Sequence, residues 1–172
     1  VYTTTDHVTT PSIVLANCAN TALEITVFSL KIPANTWADG EAVTLFLVPL
    51  HKNNSGGAIN MTQKIKVNAD SYESMSAVSI ANNATEGKTD RGVWLRRVGT
   101  SIYLRLSGAF AGTGSTTINN ATFTTNQFAG TSGNIYNSVN FAADITIAIT
   151  MQWASANSAA YFNPVIGLAW KI

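Results

Sequence analysis

Apolar residues recur along this chain with a period of two, in short runs separated by Gly, Asn, Asp and Pro, a rhythm that predicts β-strands rather than helices. Between Ala22 and Lys31, Leu23, Ile25 and Val27 alternate with Glu24, Thr26 and Phe28; the phase then changes near Phe28, and Leu30 and Ile32 continue the apolar set. The strand stops at Ile32-Pro33-Ala34-Asn35, because Pro33 removes a ladder donor and fixes φ, and Ala38-Asp39-Gly40-Glu41 supplies a turn. Val43 to Leu50 is an almost unbroken apolar run, the pattern of a strand buried on both faces. Lys52-Asn53-Asn54-Ser55-Gly56-Gly57 closes it as an exposed loop. In Gln63 to Val67, Ile65 and Val67 take one face and Lys64 and Lys66 the other, as in an edge strand or one solvated on a single side.

A weaker segment, Met75 to Ile80, and a polar stretch, Asn82 to Arg91, lead into the strongest hairpin signal. Val93 to Val98 and Ile102 to Leu106 alternate on either side of Gly99-Thr100-Ser101. Gly108 to Gly133 reads as loop-rich, with room for a short strand around Thr122, Phe123 and Phe128. In Phe141 to Trp153 the large apolar residues share one side, and Phe162 to Ile172 forms a last strand after the small-residue loop Ala154 to Ala160. Eight to ten strands without a helix predict an all-β fold, a jelly-roll-like antiparallel β-sandwich. Residues 11–172 form that single domain behind an extended N-terminal arm, residues 1–10.

Composition changes this picture in one respect. Only 11% of the 172 residues are charged, whereas 22 Thr, 14 Ser and 17 Asn are present, so hydroxyls and amides must supply the solvated surface. Ten cationic against nine acidic side chains leave a net charge of +1, which argues against nucleic-acid binding by counterion release. Hydrophobic residues at 46% argue against disorder, and no apolar stretch is long enough for a membrane helix. A chain this low in charge has more apolar surface than one subunit of its size readily hides, and contact between subunits is one solution.

Candidate chemistry is sparse. His7 and His51 have no second ligand at metal-binding spacing, and Cys18 has the setting of a small buried residue rather than a nucleophile. Gly87-Lys88-Thr89 ends like a phosphate loop, but Asn82 stands where the first glycine belongs. Among the nine carboxylates Asp144 is the odd one, lying inside an apolar-faced strand, and an outward or turn-adjacent position is its leading reading. No enzyme activity and no cofactor or metal is expected. Trp37, Trp94, Tyr136 and Trp153 are candidate subunit-interface or glycan-stacking aromatics.

The run Phe28-Ser29-Leu30-Lys31-Ile32-Pro33-Ala34-Asn35-Thr36-Trp37-Ala38-Asp39-Gly40-Glu41 resembles a segment of small β-sandwich structural proteins of tailed bacteriophages. Tyr2-Thr3-Thr4-Thr5, the Lys52 to Ser55 loop followed by Lys64 to Val67, and the Arg97 to Ser101 turn follow in the order of that family. Trp37 departs from it, standing where a smaller aliphatic is usual, and Gly108 to Gly133 is longer and richer in glycine. The resemblance implies a virion structural protein on the capsid surface or a fibre. Its first form is a homotrimeric decoration (cement) protein that binds the major capsid protein or other virion proteins, with Val1, Tyr2, Thr3, Thr4 and Thr5 as a capsid-contact arm. The alternatives are a fibre domain that binds a host-surface glycan and the jelly-roll coat protein of a small virus.

Overall fold

The computed structural model describes residues 12–74, 78–89, 91–107, 110–111 and 135–171. Two antiparallel sheets make up the fold, and the described residues contain no helix. The smaller sheet runs β1 (Ser12–Leu15), β3 (Ile25–Ile32), β13 (Ile145–Trp153), β5 (Ile59–Val67) and β6 (Asp70–Ser74), with β7 (Val78–Ile80) also on β5. The larger sheet centres on β4 (Ala42–Asn53). One edge of β4 pairs with β14 (Ala160–Lys171), which in turn carries β2 (Cys18–Ala19). The other edge is shared. β9 (Arg91–Val98) takes Ala42 to Leu47, and β8 (Asn83–Thr89) takes Leu50 to Asn53. β10 (Ser101–Ser107) and β12 (Ile135–Tyr136) extend the sheet beyond β9, and β11 (Phe110–Ala111) beyond β8.

The two-sheet antiparallel expectation therefore holds. The phase change near Phe28 is a bulge: Ile149 pairs with Phe28 but Thr150 with Thr26, leaving Val27 as the extra residue. The hairpin turn closes at Val98 and Ser101, with Gly99 at φ 59 in the first loop position, the conformation that a type II′ turn asks of it. Asn82 to Arg91 departs from its polar reading, because β8 is a strand whose ladder to β4, rather than its own periodicity, holds it extended. β5 has neighbours on both edges, so its lysines mark a solvated face and not a sheet edge. The strand expected around Thr122 to Phe128 and the arm of residues 1–10 lie outside the described residues.

The inner faces follow from the alternation. Ile145, Ile147, Ile149, Met151 and Trp153 of β13 and Met61, Ile65 and Val67 of β5 face Val43, Leu45 and Leu47 of β4, Val93 and Leu95 of β9, and Ile102 of β10, all buried. Each such side chain contributes about 1.5–3 kcal/mol through removal from water, which accounts for one continuous core. At Gly167 the two sheets come into close approach. A Cβ there would stand 2.7 Å from Leu15 Cδ2 and 3.1 Å from two ring carbons of Phe28.

Gly167→Ala is accordingly expected to lower stability by about 1–2 kcal/mol, since Leu15 can turn aside but the buried Phe28 ring cannot. Urea denaturation of the two proteins checks this; equal midpoints would mean that the sheets part without cost.

Candidate interaction face

The corner from Pro33 to Glu41 is a structural lock between the sheets. Pro33 ends β3; Asn35 takes φ 62, and its N–H donates to Phe141 O at 2.9 Å, while Ala34 N–H donates to Asp144 Oδ1 at 2.9 Å. Trp37 folds inward and is 1% exposed. Its indole packs edge-on against Phe141 at 5.6 Å between ring centroids, and its Nε1 donates to Glu41 O at 3.0 Å. The Arg97 guanidinium lies 4.0 Å over the Phe141 ring and donates to Trp37 O. Asp39 Oδ1 accepts from Gly99 N–H at 2.7 Å and ties in the β9–β10 turn.

Two of the four candidate aromatics are thereby corrected. Trp37 and Trp153 are each 1% exposed, and Trp153 Nε1 donates to Cys18 O at 3.1 Å, so both are core residues with no face for a neighbour or a sugar. An aromatic on an alternating strand reads alike whether its face is covered by the chain or by a partner. Tyr136 is half-buried against the core, and its hydroxyl donates to Asp70 Oδ2 at 2.5 Å, tying β12 to β6 of the other sheet. Trp94 alone of the four stands half-buried on an outer face. Val1 to Thr5 lie outside the described residues.

The polar candidates also find structural roles. Asp144 sits just ahead of β13 and pairs with Lys31 of the same chain at 2.6 Å. Cys18 is fully buried, and burial pushes its thiol up to about 11, which leaves almost no thiolate at neutral pH. His51 is buried within β4. Among the described residues no three His, Cys, Asp or Glu side chains converge as a metal site would require.

What distinguishes the molecule is the contrast between its two outer faces. On the smaller sheet the outward positions are Ser29 and Lys31 of β3, Thr146, Ala148, Thr150 and Gln152 of β13, and Thr62, Lys64 and Lys66 of β5. The chain itself covers part of this face. Glu24 reaches Lys64 at 2.6 Å and Lys66 at 2.5 Å, and Gln152 Nε2 donates to Ala22 O at 2.9 Å. Burial alone would raise the Glu24 carboxyl, but the bonds from Lys64 and Lys66 outweigh it and hold it down at about 2.

The larger sheet turns a different surface outward. The register that sends Val43, Leu45 and Leu47 inward sends Ala42, Thr44, Phe46 and Val48 outward, with Arg96 beside Ala42, Trp94 beside Thr44, and Leu168 beside Phe46. Tyr103 of β10 continues the Ala42–Arg96 row. Phe46, Val48, Leu50 and Trp94 are half-buried, Leu168 is 37% exposed, and Thr44 is buried with no hydrogen-bond partner for its Oγ1. With strands about 4.8 Å apart and a rise of about 3.3 Å per residue, four strands along β4 span roughly 500–600 Å². Aromatic and aliphatic side chains with an arginine at the border are the composition of interface centres.

The cations of the larger sheet do not all share that face: Arg91, Arg97 and Lys171 stand in register with the inward Leu47, Ile102 and Val43. Among the described strands, those of the larger sheet carry Lys52, Lys88, Arg91, Arg96, Arg97, Arg105 and Lys171 against one carboxylate, Glu86, which accepts from the Tyr161 hydroxyl. Sequence reasoning identified Trp94 but missed Phe46, Val48, Leu50 and Leu168 as a surface. The signal was the two-sided apolar run of β4. Comparisons of the chain with models of known protein families, with curated proteins and with solved structures find no match.

The Glu24 cluster stabilises the fold above the carboxyl's ordinary pKa of 4.5, and that contribution disappears as pH falls from there through about 2. Glu24→Gln is expected to lower stability by about 1 kcal/mol at pH 7, a figure discounted for the cluster's partial exposure. Thermal melts of both proteins at pH 7 and pH 2 test this, and a difference that persists at pH 2 would contradict it.

Proposed function

We propose that this chain is a structural protein of a bacteriophage virion: a homotrimeric decoration (cement) protein on the capsid surface that binds and stabilises the major capsid lattice. The observation that carries the reading is the apolar outer face of the larger sheet, set against the polar, self-covered outer face of the smaller one. A protein whose role is to add contact area has a use for such a face, and a protein built for chemistry requires converging reactive groups instead. On this reading the low charge of the chain and its wealth of Thr, Ser and Asn divide the labour: hydroxyls and amides meet water, and the surplus apolar surface meets other subunits.

Strand order supports a jelly-roll reading of the sandwich. β2, β14, β4 and β9 lie side by side in one sheet and β3, β13, β5 and β6 in the other, so the chain changes sheets at β1–β2, β2–β3, β3–β4, β4–β5, β7–β8, β12–β13 and β13–β14. The N-terminal residues Val1 to Thr5 remain the proposed contact arm. A fibre domain that binds a host glycan is the second reading, favoured by Trp94 standing half-open next to the Arg96–Tyr103 row.

Co-sedimentation with purified capsids of the encoding phage tests the proposal. Phe46→Glu combined with Leu168→Glu is expected to weaken capsid binding by about tenfold or more while the circular dichroism spectrum stays unchanged. Removal of residues 1–10 is expected to lower occupancy. Full occupancy by both variants would remove the support, and a glycan-array signal without capsid binding would favour the fibre reading.

A further inference from the structure

We propose that the larger sheet is built as two half-sheets hinged at Pro49 and Pro164, and that the half beyond the hinge opens as a unit while the rest of the sandwich stays closed. The proposal concerns the fold itself and stands apart from the capsid reading. The ladders around β4 divide at one point. On one edge β9 takes Ala42 to Leu47 and β8 takes Leu50 to Asn53, and among the described residues Val48 and Pro49 have no partner there. On the other edge β14 pairs Ile166 to Lys171 with Val48 to Val43, and Ala160 to Asn163 with Asn53 to Leu50. Between these two stretches Pro164 stands opposite Pro49, and Val165 is an extra, bulged residue. Every other pairing keeps to its own side of that level: β10 and β12 extend β9, whereas β11 extends β8, and β2 lies on Tyr161 and Phe162.

Proline is ordinarily confined to edge strands and bulges, because its ring nitrogen cannot donate to a ladder. Here one proline occupies the central strand of the sheet and a second stands opposite it in the neighbouring strand, so at this level neither β4 nor β14 offers an N–H to any adjoining strand. Among the described residues, backbone continuity rather than ladder bonding joins the halves. The two halves also differ in what they bury. The near half turns Val43, Leu45 and Leu47 of β4 into the core beside Val93, Leu95 and Ile102. The far half turns His51 and Asn53 of the same strand inward, both buried, beside Cys18, Ala160 and Phe162. A buried polar side chain yields less stabilisation than a leucine even when its hydrogen bonds are made, and β8 adds no apolar alternation of its own. Few bonds tie this half to the smaller sheet. Asn53 Nδ2 donates to Ile80 O at 2.7 Å, and Trp153 Nε1 donates to Cys18 O at 3.1 Å. A region of low apolar burial, bounded by a break in its ladders, is the kind of unit that opens at a lower free energy than the whole fold.

Cys18 is the single cysteine of the chain, lies in the far half and is fully buried, so its reaction with a disulfide reagent such as DTNB reports that opening in the intact protein. Under native conditions Cys18 is expected to react about tenfold or more faster than global unfolding allows, with a urea dependence less than about half that of global unfolding. In amide exchange, residues 50–53, 83–89 and 160–163 are expected to exchange together, ahead of residues 43–47 and 93–98. Pro49→Val combined with Pro164→Val, which supplies both missing donors, is expected to close the gap between Cys18 reaction and global unfolding. The exchange experiment on the unaltered chain stands without that variant. Reaction of Cys18 only at the rate of global unfolding would overturn the proposal. So would reaction of Cys18 while residues 50–53 and 83–89 stay protected, which means fraying of β2 alone, or a gap unchanged in the folded double variant, which means that the prolines do not set the hinge.

Discussion

The structure depends on β4. It is flanked on one edge by β14 from Val43 to Asn53 and on the other by β9 and then β8, so the larger sheet exists only while its ladders hold. Its inward residues Val43, Leu45 and Leu47 supply the core opposite β13 and β5. Its outward residues supply the face that distinguishes the protein. Core and outer face are therefore written on alternate positions of a single segment, and a strand can do this because successive side chains point to opposite sides of the sheet.

Around that strand the sandwich is closed by polar devices at its ends and by burial between its sheets. The corner from Pro33 to Glu41 crosses from one sheet to the other, and the indole of Trp37, the ring of Phe141 and the guanidinium of Arg97 fill its inner side. At the opposite end of β4, buried Asn53 donates from its amide to Gly57 O at 2.8 Å and Ile80 O at 2.7 Å, holding the loop that follows. These bonds satisfy backbone groups that a loop would otherwise leave unpaired. They leave the broad sheet faces to be settled by side-chain type alone, and there the asymmetry arises: the outward lysines of the smaller sheet pair with Glu24 and Asp144, whereas the outward positions of β4 in the larger one include Ala42, Phe46, Val48 and Leu50.

Much of this was legible in the chain. The phase change near Phe28 falls where the bulge lies, Gly99-Thr100-Ser101 announced a hairpin, and Phe141 to Trp153 announced a one-faced strand, because each is a local statement about which side of a ribbon a residue occupies. β8 was not legible, since Asn83 to Thr89 has no apolar alternation and is extended only because β4 offers it a ladder. Trp37, Trp94 and Trp153 looked equivalent as candidates. Two proved to be core and one to be surface, and the difference lies in which neighbour the fold brings over each ring.

The sequence by itself determined the class of fold, the inward set of most strands, the absence of a recognisable reactive motif and the reliance on hydroxyls and amides for solvation. All of these follow from residue type and a period of two. Only the tertiary structure decided what the second apolar side of β4 meets. In the chain, Phe46 and Val48 read like core, because a hydrophobic residue carries no mark of whether its cover comes from its own molecule. Folding places the smaller sheet against one side of β4, and among the described residues the other side, with Phe46, Val48 and Leu50 half-buried, has no second sheet over it.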